Sequence, residues 1–268
     1  MTLSEMLRRY RAMAEEAVSR LLDAKKGSVF YEPLRRYVRG GKKVRPAILF
    51  AVHEACGASG DPRPAAGAVE LMHAASLIHD DLIDGDSIRR GRPAYHVSNG
   101  FESAVLAADF ILSIVLEVSA MYEDRRVGET LARAAREMSE GEMEEVLLLR
   151  SGEMSLSSYL RVVRKKTASL FSAASKLGAL IARAGDSVVE IASRYGELVG
   201  MAYQLRDDLL DWGSDEVTSS LRPEDRGEVE RLASRYSAEA ARMAESLGSG
   251  PPVEFLRDIA AFASRRDF

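Results

Sequence analysis

Apolar residues recur at three- and four-residue spacing along almost the whole 268-residue chain, and period-two alternation is nearly absent. The pattern predicts helices over 3–24, 30–38, 44–56, 64–84, 101–121, 127–150, 155–184, 186–212, 224–246 and 252–265. Turn-forming residues fall at the breaks: Gly40-Gly41, Gly57 to Pro64, Gly91 to Pro93, Gly185-Asp186 and Gly248 to Pro252. No low-complexity linker divides the chain and no solenoid period runs through it, so the expected fold class is all-α, in one helical domain over 1–268. The most apolar stretch, Ser103 to Ala120, is interrupted by Asp109 and Glu117. It reads as a helix buried in protein rather than a membrane span.

Composition narrows the classes of function. The net charge of −4 comes with no basic stripe, so nucleic acid is not an expected partner. A single cysteine, Cys56, excludes an internal disulfide and reads as a small structural residue in a reducing compartment. Met1 to Arg11 is polar and charged, without the apolar core of a signal peptide, and a cytoplasmic location is expected. Only seven of the 37 cationic residues are lysines, and none lies beyond Lys176.

Candidate chemistry sits in two acidic segments of the same pattern, His79-Asp80-Asp81-Leu82-Ile83-Asp84 and Gln204-Leu205-Arg206-Asp207-Asp208-Leu209-Leu210-Asp211. On a helix, positions i, i+1 and i+4 span about 100° of arc, so each triad points one way. Two carboxylates about 5 Å apart repel by about 3 kcal/mol at an effective dielectric of about 20. Building that arrangement twice at the ends of apolar helices calls for a cation, and oxygen-only ligands suit Mg2+. Basic residues lie close by. Arg89, Arg90 and Arg92 follow the first triad, and Lys42, Lys43 and Arg45 follow a Gly40-Gly41 turn whose free backbone N–H groups suit an anion. A third basic spot is Lys165-Lys166-Thr167. Acidic triads beside arginines suggest a diphosphate held from both sides, by metal and by guanidinium forks.

Together these strings resemble the trans-prenyl diphosphate synthase family. GGKKVRP, HDDLIDGDSIRRGRPAYH, KKTASLF and YQLRDDLLDW are similar to four of its motifs, in the family's order, and FASRRDF resembles its final helix. The resemblance implies an isoprenoid synthase-type bundle of about ten helices around a central cavity. It also implies that Asp80, Asp81, Asp84, Asp207, Asp208 and Asp211 hold Mg2+ on an allylic diphosphate. Arg89, Lys166, Thr167 and Gln204 would contact that diphosphate, and Lys42, Arg45, His73 and Arg90 would grip isopentenyl diphosphate. In such an enzyme the allylic C–O bond ionises, and the isopentenyl double bond attacks the carbocation. Ala75 and Ser76, small residues ahead of the first triad, leave room for a product of at least twenty carbons, with Met72 and Leu71 as candidate floor. A homodimer is expected, with the 101–121 helix as one candidate interface and a heteromer as the alternative.

One departure stands out. Relatives usually carry a longer, lysine-bearing loop after the second motif, whereas Asp211 to Pro223 contains none, with Arg222 as a candidate substitute. A weakly active or non-catalytic subunit of a heteromeric synthase is therefore the competing reading. A terpene cyclase would share the aspartates but has no need of Lys42, Arg45 and His73.

Overall fold

The structure, a computed structural model, describes residues 2–265. The elements follow the apolar spacing: α1 (Leu3–Asp23), α2 (Tyr31–Tyr37), α3 (Val44–Ala55), α4 (Arg63–Ile83), β1 (Ile88–Arg89), β2 (Arg92–Pro93), α5 (Tyr95–Asn99) and α6 (Phe101–Ser119). Then come α7 (Arg125–Ser151), α8 (Leu156–Val163), a π-helical turn (Arg164–Ala168), α9 (Ser169–Ile181), α10 (Asp186–Leu210), α11 (Glu216–Ser219), α12 (Asp225–Ala244) and α13 (Pro251–Arg265). Arg266, Asp267 and Phe268 of the closing string lie outside the described residues.

Local chemistry explains the boundaries. Thr2 and Glu5 form a reciprocal capping box at the start of α1, and Ser155 caps α8 in the same way. The long α7 stops at Gly152, whose φ of 69° lets the chain leave the helix. Where the sequence suggests only a loop after the first triad, β1 and β2 pair antiparallel, Ile88 with Pro93 and Arg89 with Arg92. The two linking residues, Arg90 and Gly91, have φ of 53° and 71°, the signs a tight two-residue hairpin requires.

Helix α10 is the axis of the molecule, packed between α9 and α12, while α3 lies on α9 and α4 is flanked by α1 and α6. Tyr10, Phe50, Phe171, Tyr195 and Phe255 fill the core and are almost wholly buried. Backbones approach closely because the facing residues are glycines. A Cβ on Gly196 of α10 would lie 2.3 Å from the Phe171 carbonyl oxygen, and one on Gly200 would lie 2.7 Å from Ala168 Cα.

Two expectations change. Helix α6 is not buried all round: Phe101, Leu106, Leu112 and Leu116 are 63%, 52%, 46% and 61% exposed. The predicted 155–184 helix is interrupted by the π turn, which carries Lys166 and Thr167. A turn of that kind adds a residue to the helix and rotates the turns beyond it, a device common at functional sites. Gly141 of α7 makes room for it, since a Cβ there would sit 2.5 Å from the Lys166 backbone nitrogen.

The close α9–α10 contact gives the first prediction. Gly196→Ala should lower stability in denaturant unfolding by about 2 kcal/mol, because the clash is with backbone that cannot rotate away. An unchanged midpoint would contradict this packing.

Candidate active site

A cavity of about 890 Å3 opens between α4, α6, α7, α8, the π turn and α10. Its ionic part is lined by Asp80, Asp207, Asp208, Lys166, Arg45 and Arg90, and its apolar part by Met72, Ala75, Ile111, Leu112, Val115 and Met138. His73, Ser76, Arg89, Thr167 and Gln204 also line it. Most of the residues singled out from sequence therefore converge on one chamber.

The others do not line it, for physical reasons. Asp81 is fully buried and turned away from Asp80, toward Arg89, whose guanidinium reaches its Oδ1 at 2.5 and 2.6 Å. Adjacent helix positions differ by about 100°, enough to send one carboxylate into the chamber and its neighbour behind it. Asp84 and Asp211 are the C-terminal caps of α4 and α10 and lie exposed at the helix ends. Lys42 is exposed beside the Phe262 ring, and Leu71 points into the core rather than into the cavity.

Lys43 is the buried cation of its turn and is taken up inside the protein. It is buried with φ of 53°, ion-paired to Glu70 at 2.8 Å and bonded to the Val38 carbonyl at 2.7 Å. Removing one partner of such a buried pair costs about 3–5 kcal/mol, so it clamps the start of α3 to α4. The next cation along, Arg45, is thereby held in the cavity wall over the Phe171 ring at 4.4 Å. Its Nε is buried without a hydrogen-bond partner, and burial lowers its pKa to about 10.

Electrostatics in the chamber is strained. Burial first, and then Asp208, raise the Asp207 pKa to about 7, with Lys42 and Arg45 opposing. Burial raises Asp208 to about 6 despite hydrogen bonds from the Tyr159 hydroxyl and from Gln204 Nε2 at 2.7 Å. His73 is driven well below its ordinary value by burial and by Arg45 and Arg90, which favours the neutral imidazole. Lys166 bonds Glu142 at 2.8 Å and Glu145 at 2.7 Å and stands 3.3 Å from Asp80. Burial disfavours its charge, but those carboxylates outweigh that and raise its pKa.

Sequence reasoning missed Glu142, Glu145 and Tyr159. The two glutamates sit at i and i+3 on α7 in a run of acidic residues that reads as a solvated face. Only the packing of α7 against the π turn turns them toward Lys166. The loop after Asp211 folds as α11, capped by Asp215 through Thr218, and brings Asp215 and Val217 to the cavity. Arg222 does not replace the missing lysine: it pairs with Asp225 at 2.8 Å and lies away from the cavity.

Among the described residues, no three carboxylate, imidazole or thiol groups gather to hold a metal ion unaided. The donor set nevertheless fits a hard divalent cation. Asp80, Asp207 and Asp208 offer oxygen only, and the raised pKa values of the α10 pair record a deficit of positive charge. An ion that takes part of its shell from water and phosphate needs few protein ligands on either wall.

An all-α bundle enclosing a channel with an aspartate and arginine mouth defines a class of prenyl-transferring enzymes, and comparison with known proteins agrees. Residues 28–222 match the polyprenyl synthetase family. The chain is 37% identical over 233 residues to a geranylgeranyl diphosphate synthase of Methanosarcina mazei, covering 84% of this chain and 72% of the relative. It is 32% identical over 257 residues to heptaprenyl diphosphate synthase component 2 of Geobacillus stearothermophilus, covering 94% and 80%. Its fold superposes with a TM-score of 0.87 on a polyprenyl synthase of Caulobacter crescentus solved with calcium and isoprenyl diphosphate. That structure is 26% identical, and the match covers 99% of this chain and 98% of the other. The chain belongs to the polyprenyl synthetase family and is a transferase of the trans-prenyl diphosphate synthase type.

The raised carboxyls give a pH prediction. Free aspartates titrate near 4, whereas Asp207 and Asp208 in the folded protein titrate at about 7 and about 6. Between those values the folded state binds more protons than the unfolded chain, so stability contributed there is present at low pH and lost as pH rises toward 7. In metal-free buffer, Tm should fall from pH 5 to pH 7.5, and Asp207→Asn should flatten that fall. A wild-type profile that the substitution leaves unchanged would contradict the assignment.

Proposed function

We propose that the chain condenses isopentenyl diphosphate with an allylic diphosphate in a Mg2+-dependent reaction, making a trans-prenyl diphosphate of about twenty carbons or more. The observation that carries this reading is the single cavity with charged groups at one part and an open apolar channel at the other. It suits a ligand that is diphosphate at one end and hydrocarbon along the rest.

In this reading Asp80 and Asp84 on one side, and Asp207, Asp208 and Asp211 on the other, would hold the divalent ions, while Asp81, buried behind Asp80, holds Arg89 in place. The bound ions supply Lewis acidity to the leaving diphosphate. Lys166, Thr167, Gln204 and Arg89 bind and orient the allylic diphosphate. The Lys166 ammonium neutralises charge as the allylic C–O bond ionises, and pre-positioned cations of this kind stabilise charge where it develops. Glu142 and Glu145 aim that ammonium. Lys42, Arg45, His73 and Arg90 hold isopentenyl diphosphate so that its double bond attacks the carbocation. A proton then leaves to the released diphosphate, and no side chain is needed as base. The aromatic and aliphatic walls keep water from the cation.

Chain length rests on α4. Ala75 and Ser76 line the channel about one turn from Asp80 and leave it open, and Met72 lines it a further turn along. The exposed apolar face of α6 supports a homodimer as the working assembly. Among the described residues, no helix is long and apolar enough to cross a membrane. The lysine-free loop after Asp211 favours one second reading, a subunit that needs a different partner for full activity.

Two outcomes are expected. With isopentenyl diphosphate, an allylic starter and Mg2+, the isolated chain should yield alcohols of twenty or more carbons after dephosphorylation, and EDTA should abolish the product. Ser76→Phe should shift the product to shorter chains. A dominant fifteen-carbon alcohol from the wild type would refute the open channel. Activity that appears only when a second synthase subunit is added would favour the heteromeric reading.

A further inference from the structure

Tyr159 has no part in the chemistry above, yet it is wholly buried in the cavity wall and donates its hydroxyl to Asp208 Oδ2. Gln204 Nε2 donates to the other oxygen of the same carboxylate, Oδ1, at 2.7 Å. The Thr167 hydroxyl donates in turn to Gln204 Oε1 at 3.0 Å. The order of donors is dictated by the groups themselves. An ionised carboxylate only accepts, so Gln204 must meet Asp208 with its NH2, and its carbonyl oxygen is then left for Thr167. Both oxygens of Asp208 are thereby held, each with a further lone pair to spare.

The π turn is what allows this grip. Tyr159 lies in α8 and Thr167 in the π turn, eight positions apart in sequence. Along an unbroken α-helix eight steps come to about 800°, which leaves the two side chains about 80° apart. Here the Ser169 N–H reaches back to the Arg164 carbonyl, five residues before it. The residue so added takes up to about 100° out of the count and swings Tyr159 and Thr167 onto one face. Their partners Asp208 and Gln204 stand one turn apart on α10, also on one face. The earlier residue of one segment meets the later residue of the other, the pairing of antiparallel helices. Gly200, one turn before Gln204, lets the two segments approach, since its Cβ would lie 2.7 Å from Ala168 Cα.

We propose that Tyr159 is a positioning residue for the divalent-ion site: with Gln204 it fixes the plane of the Asp208 carboxylate before an ion arrives. This rests on the proposed Mg2+-dependent reaction and deepens it by naming what holds one of the ligands. Tyr159 acts through Asp208 and touches neither substrate nor ion. A carboxylate clamped on both oxygens has little rotation left to lose when it binds an ion, and loss of such an outer partner typically costs 10- to 100-fold in metal affinity.

Calorimetric titration of the whole chain with an unreactive allylic thiolodiphosphate, repeated over a series of Mg2+ concentrations, tests this without turnover. The wild type is compared with Y159F, D208N and the Y159F/D208N double variant. Tyr159→Phe keeps the buried ring, thermal melting checks its fold, and Gln204→Met, which removes the second donor to Asp208, stands in if Y159F does not fold. Y159F should need about tenfold more Mg2+ for half-maximal binding of the analogue and should recover wild-type affinity when Mg2+ saturates. The double variant should need no more Mg2+ than D208N alone, because Tyr159 has nothing left to position. A purely structural tyrosine would lower Tm and leave the Mg2+ dependence unmoved, which overturns the proposal. So does a double variant in which the two effects add in full. Product from the wild type together with an unmoved Y159F overturns the role of Tyr159 and leaves the reaction standing. A chain that shows the Y159F shift but makes no prenyl product refutes the reaction and leaves the role of Tyr159 standing. Wild-type binding that ignores Mg2+ overturns both.

Discussion

The structure turns on like charges held together at the ends of two buried helices. Asp80 from α4 and Asp207 and Asp208 from α10 share one cavity, and burial, with the Asp208 charge acting on Asp207 and Asp215 and Glu145 acting on Asp208, lifts the α10 pair above ordinary aspartates. The surrounding protein counters this locally: Lys166 beside Asp80, Arg89 on Asp81, Tyr159 and Gln204 on Asp208. The remaining deficit is what a divalent ion and a diphosphate together would fill. The apolar elements serve to hold these groups apart from water without letting them separate, and the close glycine-mediated packing of α7, α9 and α10 is the means.

Much of this was legible in the chain. The helices follow from apolar spacing, and their limits follow from glycine, proline and capping residues within a few positions. The two acidic motifs, the Gly40-Gly41 turn and the arginine run were visible as strings, and most of their functional candidates line one cavity. The exceptions share a cause, because a string does not say which way each side chain turns. Asp81 looks equivalent to Asp80 until Arg89 claims it, and Lys43 looks like a ligand for anions until Glu70 claims it.

Other features were not legible because they arise from contacts distant in sequence. The π turn has no composition of its own; it is accommodated by Gly141, which lies on a different helix. Glu142 and Glu145 read as solvated surface until α7 packs on that turn. Helix α6 was apolar enough to look buried all round, yet its outer face stays open to solvent. An apolar count along a helix measures how much surface needs covering and not whether the same chain covers it.

The central claim is that the α4 and α10 carboxylates act as two walls of one site bridged by ions and diphosphate. A crystal structure with Mg2+ or Mn2+ and an unreactive allylic thiolodiphosphate tests it most directly. The account predicts metal density joining Asp80 to the diphosphate on one side and Asp207 and Asp208 on the other, with the prenyl tail running past Ser76 toward Met72. Ions bound to one wall alone, or a tail lying outside the channel, would contradict it.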